Sequence, residues 1–198
     1  MPEAPLFEAP TGEVAALVAV QSTLTDRPGV LTTARGLSYF GEHSIGWVAV
    51  SLLGALLVPS RRRDWLVAGA GSFAAHAAAV LIKRVVRRKR PHHPAVVVNV
   101  GTPSQLSFPS AHATSTTAAA ILLGRAAGLP DMAAPAVLVP PMALSRIVLG
   151  VHYPSDVAFG VALGAAVARL ALWLDGRLDG RLDGRLDGRG CRDRGAAE

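Results

Sequence analysis

Long apolar segments separated by short clusters of charge are the feature that most restricts the fold of this chain. Five segments approach the roughly 20 residues that a helix needs to cross a bilayer. They span residues 44–59, 65–82, 111–124, 132–151 and 157–174. Charged residues make up only 17% of the sequence and lie mostly between or after these segments. We therefore predict an all-α, polytopic membrane bundle with about five transmembrane helices.

The composition of the segments favours close packing of helices within a membrane. Ala, Gly and Ser recur in them, and small residues let helices approach closely where apolar burial gives little driving force. Segments of this length also occur as buried helices, so a soluble all-α bundle is the alternative. Few of the segments show a polar face, which favours the membrane. The first residues, MPEAPLFEAP, carry no positive charge ahead of an apolar core, so we expect no cleaved signal peptide.

The two ends of the chain differ from its middle. Residues 1–43 contain only mildly apolar pieces, and we expect interfacial helices there rather than spans. The tetrapeptide LDGR then repeats from residue 174 to residue 189. Each glycine costs a helix about 1 kcal/mol, which exceeds the stabilisation from Asp/Arg pairs. We therefore predict an interfacial segment 1–43, a membrane domain 44–174 and a disordered, charge-balanced tail 175–198.

A basic run, KRVVRRKRP, follows the second apolar segment from Lys83 to Pro91. Taken alone, such a run is typical of a membrane flank that contacts anionic lipid headgroups. A nucleic-acid interface is less favoured, because the run is a short membrane-flanking element and not a basic face of a domain. We expect membrane lipids and no nucleic acid as partners of this run.

The third apolar segment is preceded by SFPSAH, which ends at His112. Pro109 and Ser110 suit the start of a helix, and this gives the motif a purely structural explanation. A helix N-terminus also presents free backbone N–H groups, which bind phosphate well. His112 would then lie beside a bound anion.

Arg146, His152 and Asp156 form a third cluster around the end of the fourth segment. A guanidinium inside an apolar segment needs an anionic partner to offset its desolvation. The spacing of His152 and Asp156 lets a carboxylate on a helix reach the imidazole, fix its tautomer and stabilise the imidazolium. This arrangement is expected of a histidine that acts as nucleophile or base.

Cations, two histidines and a carboxylate together suit phosphoryl transfer. The transferring group spreads negative charge over its oxygens, so catalysis depends on positioning and positive charge. The sequence contains no HExxH, carboxylate cluster or Walker motif, and its single cysteine, Cys191, excludes a disulfide framework. We therefore expect no metal site and no cofactor, with a side chain as the nucleophile.

The three clusters resemble the signature of the type 2 phosphatidic acid phosphatases (PAP2), which share their site with vanadium haloperoxidases. The matching parts are Lys83-x6-Arg90-Pro91, Pro109-Ser110-Ala111-His112 and Ser145-Arg146-x5-His152-x3-Asp156. Each part alone is weak evidence for the family, but the three parts together, in this order and spacing, are specific to it. Ala111 stands where the family usually has glycine, and we expect a modest effect on the backbone contact to phosphate.

The resemblance implies a role for each matching residue. His152 would attack phosphorus to form a phosphohistidine, and Asp156 would orient it and stabilise its charge. His112 would protonate the leaving alkoxide and then activate the hydrolytic water. The phosphoryl oxygens would be bound by Lys83, Arg90, Ser110, Ala111 and Arg146. The other basic residues of the run would be membrane flank: Arg84, Arg87, Arg88 and Lys89.

Longer stretches narrow the resemblance further. FGEHSIGW, LIKRVVRRKRP and VNVGTPSQLSFPSAHATSTTAAA are similar to actinobacterial members of the family that dephosphorylate a polyprenyl-linked sugar phosphate for cell-wall arabinan synthesis. This implies a multi-pass enzyme of the cell membrane with a polyprenyl phosphate lipid as substrate. Alternative substrates are a polyprenyl diphosphate, phosphatidic acid or phosphatidylglycerol phosphate. A vanadate-dependent peroxidase and a non-catalytic lipid-binding scaffold are further alternatives, although a scaffold gives the third cluster no function.

Charge at the two ends of the predicted spans gives conflicting indications of topology. With five spans, the residues Arg61 to Arg63 and Arg125 lie opposite the three clusters. The positive-inside rule places them in the cytoplasm and the clusters outside. The basic run favours the reverse orientation. Because its end residues match the signature, however, we give the run little weight and expect the site to face out of the cytoplasm.

Overall fold

The computed structural model describes residues 9–192, with side chains through residue 178. In that range the chain forms α-helices joined by turns and loops, with one isolated antiparallel bridge between Lys89 and Leu106. The helices are α1 (Gly12–Leu24), α2 (Val30–Gly41), α3 (Ile45–Leu57), α4 (Arg62–Val86), α5 (Ala111–Ala126), α6 (Ala133–Val148) and α7 (Pro154–Arg192). Two 3-10 turns, Glu42–Ser44 and Pro59–Arg61, precede α3 and α4. The predicted all-α class is confirmed.

Helix α5 lies at the centre of the bundle, with nearly all of its residues buried. It packs against α4, α6 and α7. Small side chains fill these contacts, including Ala68 and Ala75 of α4 and Ala118 of α5, each of which is fully buried. At Gly164 of α7, a Cβ atom would lie only 2.3 Å from the carbonyl oxygen of Thr114. Small residues therefore set the spacing of the helices, as expected inside a membrane.

Large apolar side chains cover the outside of the bundle. Leu56, Leu57, Leu81 and Val85 are each more than half exposed. So wide an apolar surface needs an apolar surrounding. Within the described residues, three helical stretches are long and apolar enough to cross a membrane: Val30–Leu57, Pro59–Val86 and Pro154–Leu178. The chain is therefore a membrane protein.

The predicted number of spans is not confirmed. Helices α3, α4, α5, α6 and α7 correspond to the five apolar segments. However, α5 and α6 have 16 residues each, fewer than a bilayer crossing usually requires. A count of five spans stays a prediction.

Helices α1 and α2 pack onto the bundle. Helix α2 leads through the first 3-10 turn into α3, and together they form the candidate span Val30–Leu57. In α1, the buried Gln21 amide donates hydrogen bonds to the carbonyl oxygens of Val97 and Val148, at 2.6 and 3.0 Å. It also accepts one from the Val97 N–H at 3.1 Å. These bonds join α1 to the loop between α4 and α5 and to the end of α6. Residues of α1 therefore pack as part of the bundle, whereas interfacial helices were expected in residues 1–43.

Helix α7 continues through the LDGR repeats to Arg192, where a disordered tail was expected. The difference has a physical reason. A helix that is already nucleated by packing extends without a second nucleation cost, so glycines weaken the extension without preventing it. The division into regions 1–43, 44–174 and 175–198 stays a prediction.

Candidate active site

Four helix ends meet at one end of the bundle and carry the three predicted clusters. They are the C-terminal ends of α4 and α6 and the N-terminal ends of α5 and α7. Between them lies a cavity of about 310 Å³. It is lined by Lys83, Arg90, Ala111, His112, Arg146 and His152. The remaining predicted site residues, Ser110 and Asp156, are fully buried beside them.

His152 and Asp156 face one another across the first turn of α7. Pro154, two residues after His152, is the first residue of this helix, a position that suits proline. The distance from His152 Nδ1 to Asp156 Oδ2 is 3.6 Å. That carboxylate oxygen also accepts a hydrogen bond from the Tyr153 N–H at 2.9 Å. His152 Nδ1 has no hydrogen-bond partner among the described residues, so a closing movement of a few tenths of an ångström would pair it with Asp156.

The second nitrogen of His152 faces a cation. Its Nε2 lies 3.4 Å from Arg90 Nη1. A guanidinium N–H can only donate, so Nε2 carries the lone pair and Nδ1 carries the proton. Burial lowers the pKa of His152 to about 3; Arg90 and Lys83 contribute to this lowering, and Asp156 opposes it. The unliganded imidazole is therefore neutral at pH 7, with Nε2 available as a nucleophile.

His112 is fixed at the N-terminal end of α5 by contacts with α2. Its Nε2 lies 3.0 Å from the Ser38 carbonyl oxygen and 3.9 Å from Glu42 Oε2. Because a carbonyl oxygen can only accept, Nε2 carries a proton and Nδ1 is left to exchange one. Gly41 permits this packing, since a Cβ atom there would lie 2.8 Å from His112 Cδ2.

Three cations lie at the cavity, and neutral groups hold two of them, Arg90 and Arg146. Arg90 donates hydrogen bonds to the carbonyl oxygens of Ser104 and Val151, at 2.8 and 2.6 Å. Burial lowers the pKa of Arg90 to about 10, so it remains charged at pH 7. Arg146 is 2% exposed, and Lys83 is buried on the last turn of α4. Positive charge packed in this way is stabilised by an anion in the cavity.

Arg146 has a specific set of hydrogen-bond acceptors. Its Nη1 donates to the hydroxyl of Ser38 at 3.1 Å, while Nε and Nη2 donate to the hydroxyl of Ser145 at 3.0 Å. A longer bond of 3.5 Å joins Nη2 to the carbonyl oxygen of Ala34. These partners are all uncharged, so the guanidinium is oriented without being neutralised.

Ser110 caps helix α5. Its hydroxyl accepts a hydrogen bond from the Ala113 N–H at 3.4 Å, and its own N–H donates to the Asp156 carbonyl oxygen at 3.0 Å. The second bond ties the start of α5 to the start of α7. Ala111, the first residue of α5, lines the cavity, so this helix N-terminus adjoins the cations, as an anion site requires.

Arg88 was expected to be membrane flank, but it contacts the site. Its Nη1 donates hydrogen bonds to Asp156 Oδ1 at 2.9 Å and to the Ser155 hydroxyl at 2.7 Å. Its Nη2 pairs with Glu13 of α1 at 2.7 Å. The guanidinium also lies 4.0 Å from the centre of the Tyr153 ring. Arg88 thus connects α1 to the carboxylate that faces His152.

Sequence reasoning missed Glu13, Ser38, Glu42 and Arg88. Glu13, Ser38 and Glu42 lie in residues 1–43, far from the three clusters in sequence, and a polar residue in a mildly apolar helix is a weak signal by itself. Arg88 was hidden among other basic residues of the run. Among the described residues, no group of three or more His, Cys, Asp or Glu side chains is placed to hold a metal ion.

Several known proteins resemble this chain in sequence or in fold. The PAP2 superfamily matches residues 64–178 of the chain. A decaprenylphosphoryl-5-phosphoribose phosphatase from Mycobacterium tuberculosis is 75% identical over 162 residues, which cover 82% of this chain and 90% of that protein. The protein of the same name from Mycolicibacterium smegmatis is 69% identical over 155 residues, covering 78% of this chain and 84% of its relative.

A solved structure has the same fold at much lower sequence identity. The PAP2 type phosphatidylglycerolphosphate phosphatase from Bacillus subtilis superposes with a TM-score of 0.62 at 20% identity. The match covers 82% of this chain and 86% of that one. At this identity the likeness concerns the fold alone.

Proposed function

The chain belongs to the PAP2 superfamily and is a phosphoric monoester hydrolase of that type, and we propose that its substrate is decaprenylphosphoryl-5-phosphoribose in the cell membrane. The observation that carries the substrate is the 75% identity, over 82% of the chain, to a phosphatase of that name. The product would be decaprenylphosphoryl-ribose. The cavity among buried cations suits the terminal phosphate, and the apolar exterior suits the lipid chain.

In the first chemical step, His152 Nε2 attacks phosphorus and the bond between phosphorus and the ribose 5-oxygen breaks. Because Nδ1 carries the proton, the histidine becomes positively charged as the new N–P bond forms. Asp156, 3.6 Å from Nδ1, stabilises that charge and holds the ring. His112 enters this step as an imidazolium, with protons on both nitrogens, and the leaving ribose oxygen takes the one on Nδ1.

In the second step, His112 accepts a proton from water as the water oxygen attacks phosphorus. The N–P bond breaks, inorganic phosphate leaves and His152 regains its lone pair. The proton that His112 gave to the alcohol in the first step is thereby replaced, so one water is consumed per phosphate released. Lys83, Arg90 and Arg146 stabilise the charge on the phosphoryl oxygens in both steps, with the Ser110 and Ala111 end of α5 as a further anion site.

The test is phosphate release by detergent-purified protein, with chelator present and no added metal. The substrates are decaprenylphosphoryl-5-phosphoribose, undecaprenyl diphosphate and phosphatidic acid, compared by kcat/KM. We expect preference for the ribose lipid and loss of at least about 1000-fold in kcat for His152→Ala, since the nucleophile is removed. A preserved rate in a folded His152→Ala protein contradicts the mechanism. Preference for the diphosphate contradicts the substrate and keeps the site.

A further inference from the structure

Part of the cavity is lined by polar residues that the phosphate chemistry leaves unused. Glu42 and His43 come from the 3-10 turn between α2 and α3, and His76 comes from α4. They share the cavity with Lys83 and His112, yet none of the three belongs to the clusters that bind or attack phosphorus. A carboxylate and two imidazoles supply both acceptors and donors of hydrogen bonds.

The contacts among these residues leave hydrogen-bonding capacity free. Glu42 Oε1 lies 3.5 Å from His43 Nε2, and Glu42 Oε2 lies 3.9 Å from His112 Nε2. Both distances exceed the usual 2.7–3.2 Å of a hydrogen bond. The rings of His43 and His76 are 5.6 Å apart between centres, and the buried His76 Nδ1 has no partner in the described part of the chain. A ligand with hydroxyl groups would satisfy these atoms.

The turn that carries Glu42 and His43 has a constrained backbone. His43 (φ 50°) and Ser44 (φ 64°) both adopt the left-handed region, which is uncommon for residues other than glycine. Ser44 is fully buried, and a Cβ atom at Gly46 would lie 2.4 Å from the Phe40 carbonyl oxygen. The packing of α3 against α2 thus fixes this turn, and side chains held by strained backbone are typical of ligand sites.

Burial orders the groups along the cavity. Arg146 and Lys83 are buried, Glu42 is partly exposed and His43 is exposed. A phosphate held by the buried cations therefore directs the group that it esterifies toward Glu42 and His43. Carboxylates recognise the hydroxyl groups of ribose by accepting hydrogen bonds from them. A plain acyl or prenyl chain in the same place would desolvate these polar groups without replacing their hydrogen bonds.

We propose that Glu42, together with His43 and His76, binds the vicinal hydroxyl groups of the sugar whose phosphate is removed. This subsite selects a sugar phosphate over a phosphate on a plain lipid. The proposal rests on the proposed function, because it takes the ribose of that substrate as the ligand. Glu42 contributes the acceptor for the hydroxyl groups, and the two imidazoles contribute further donors or acceptors.

The test compares the selectivity of Glu42→Gln with that of the unchanged protein. For each, kcat/KM is measured on decaprenylphosphoryl-5-phosphoribose, on its 2-deoxyribose analogue and on phosphatidic acid. We expect the preference for the ribose lipid over phosphatidic acid to fall about 10-fold or more, mainly through KM, because the carboxamide replaces one acceptor oxygen with a donor. Discrimination against the deoxy analogue should fall with it, which isolates the hydroxyl contact.

Asp64→Asn is the matched control, since it makes the same chemical change on the first turn of α4, far from the cavity. It should keep both the preference for the ribose lipid over phosphatidic acid and the discrimination against the 2-deoxyribose analogue. If Glu42→Gln lowers kcat/KM on all three lipids equally, Glu42 acts through His112 and the sugar subsite is wrong. If the unchanged protein does not turn over the ribose lipid, the proposed function fails and the subsite fails with it. Should Glu42→Gln not fold, His76→Gln enters the same comparison with the same expectation.

Discussion

Asp156 shows how single residues of this site depend on contacts from distant parts of the chain. One carboxylate oxygen faces His152 and accepts from the Tyr153 N–H, while the other accepts from Arg88. Arg88 is in turn held by Glu13. Asp156 is fully buried, so Arg88 offsets the desolvation of its carboxylate and fixes its orientation toward the imidazole.

Arg88→Gln should lower kcat by about 10- to 100-fold with little change in KM, because Asp156 loses its cation and no longer positions His152 accurately. Arg87→Gln is the matched control: the residue is adjacent, exposed and in the same basic run. It should retain activity. The informative measurement is whether the loss on the ribose lipid lies in kcat or in KM. Arg88→Lys should recover part of the lost kcat. Equal losses in the Arg87 and Arg88 variants would indicate a shared lipid-binding role.

At the scale of elements, contacts of α5 with α7 set the distance between His112 and His152. His112 is the second residue of α5, and His152 lies two residues before the start of α7. The helices touch through glycines: a Cβ atom at Gly160 would lie 2.8 Å from the Ser110 carbonyl oxygen, and one at Gly164 would lie 2.3 Å from that of Thr114. Backbone atoms cannot move aside as a flexible side chain can, so any added carbon separates the two helices.

Gly164→Ala should destabilise the protein by about 1–3 kcal/mol through overpacking, despite the better helix propensity of alanine. Gly176→Ala is the control on the same helix, because a Cβ atom there has no neighbour within 4 Å. It should leave stability unchanged or raise it. Melting temperatures of both variants in the same detergent make the comparison. A Gly164→Ala protein as stable as Gly176→Ala would show that α5 and α7 are less tightly packed than described.

At the scale of the whole molecule, positive charge lies at both ends of the bundle. The site end carries the basic run and Arg146, whose cations contact groups of the site. At the other end, Arg61 donates to the carbonyl oxygens at the end of α5, and Arg63 pairs with Asp175. Because the cations of the site have a structural reason to be there, the far end is the better guide to topology.

We expect the site end to face out of the cytoplasm and the C-terminal end of α7 to face inward. Cys191, the single cysteine, should react with a membrane-impermeant thiol reagent only after the cells are opened. In a Cys191→Ser background, Ala95→Cys in the exposed loop between α4 and α5 should react in intact cells. Labelling of Cys191 in intact cells would reverse the assignment.

Sequence determined the helical class, the membrane setting and the three motif clusters, because apolar length, spacing and chemical type are local properties of the chain. It also predicted that Asp156 can reach His152 from a helix or from the turn that leads into it, because that spacing suits helix geometry. Sequence did not separate Arg88 from Arg87. That distinction arises because Arg87 adopts a left-handed conformation that ends α4, after which Arg88 contacts α1 and α7.

The contributions of Glu13, Ser38 and Glu42 were decided by tertiary structure. Each of these residues meets its partner across 70 or more residues of chain: Glu13 meets Arg88, and Ser38 and Glu42 meet His112. No local pattern encodes such contacts, since they depend on how α1 and α2 pack on the bundle. Local sequence thus predicted which residues have the chemical groups for phosphoryl transfer, and packing decided which residues contact them and what else lines the cavity.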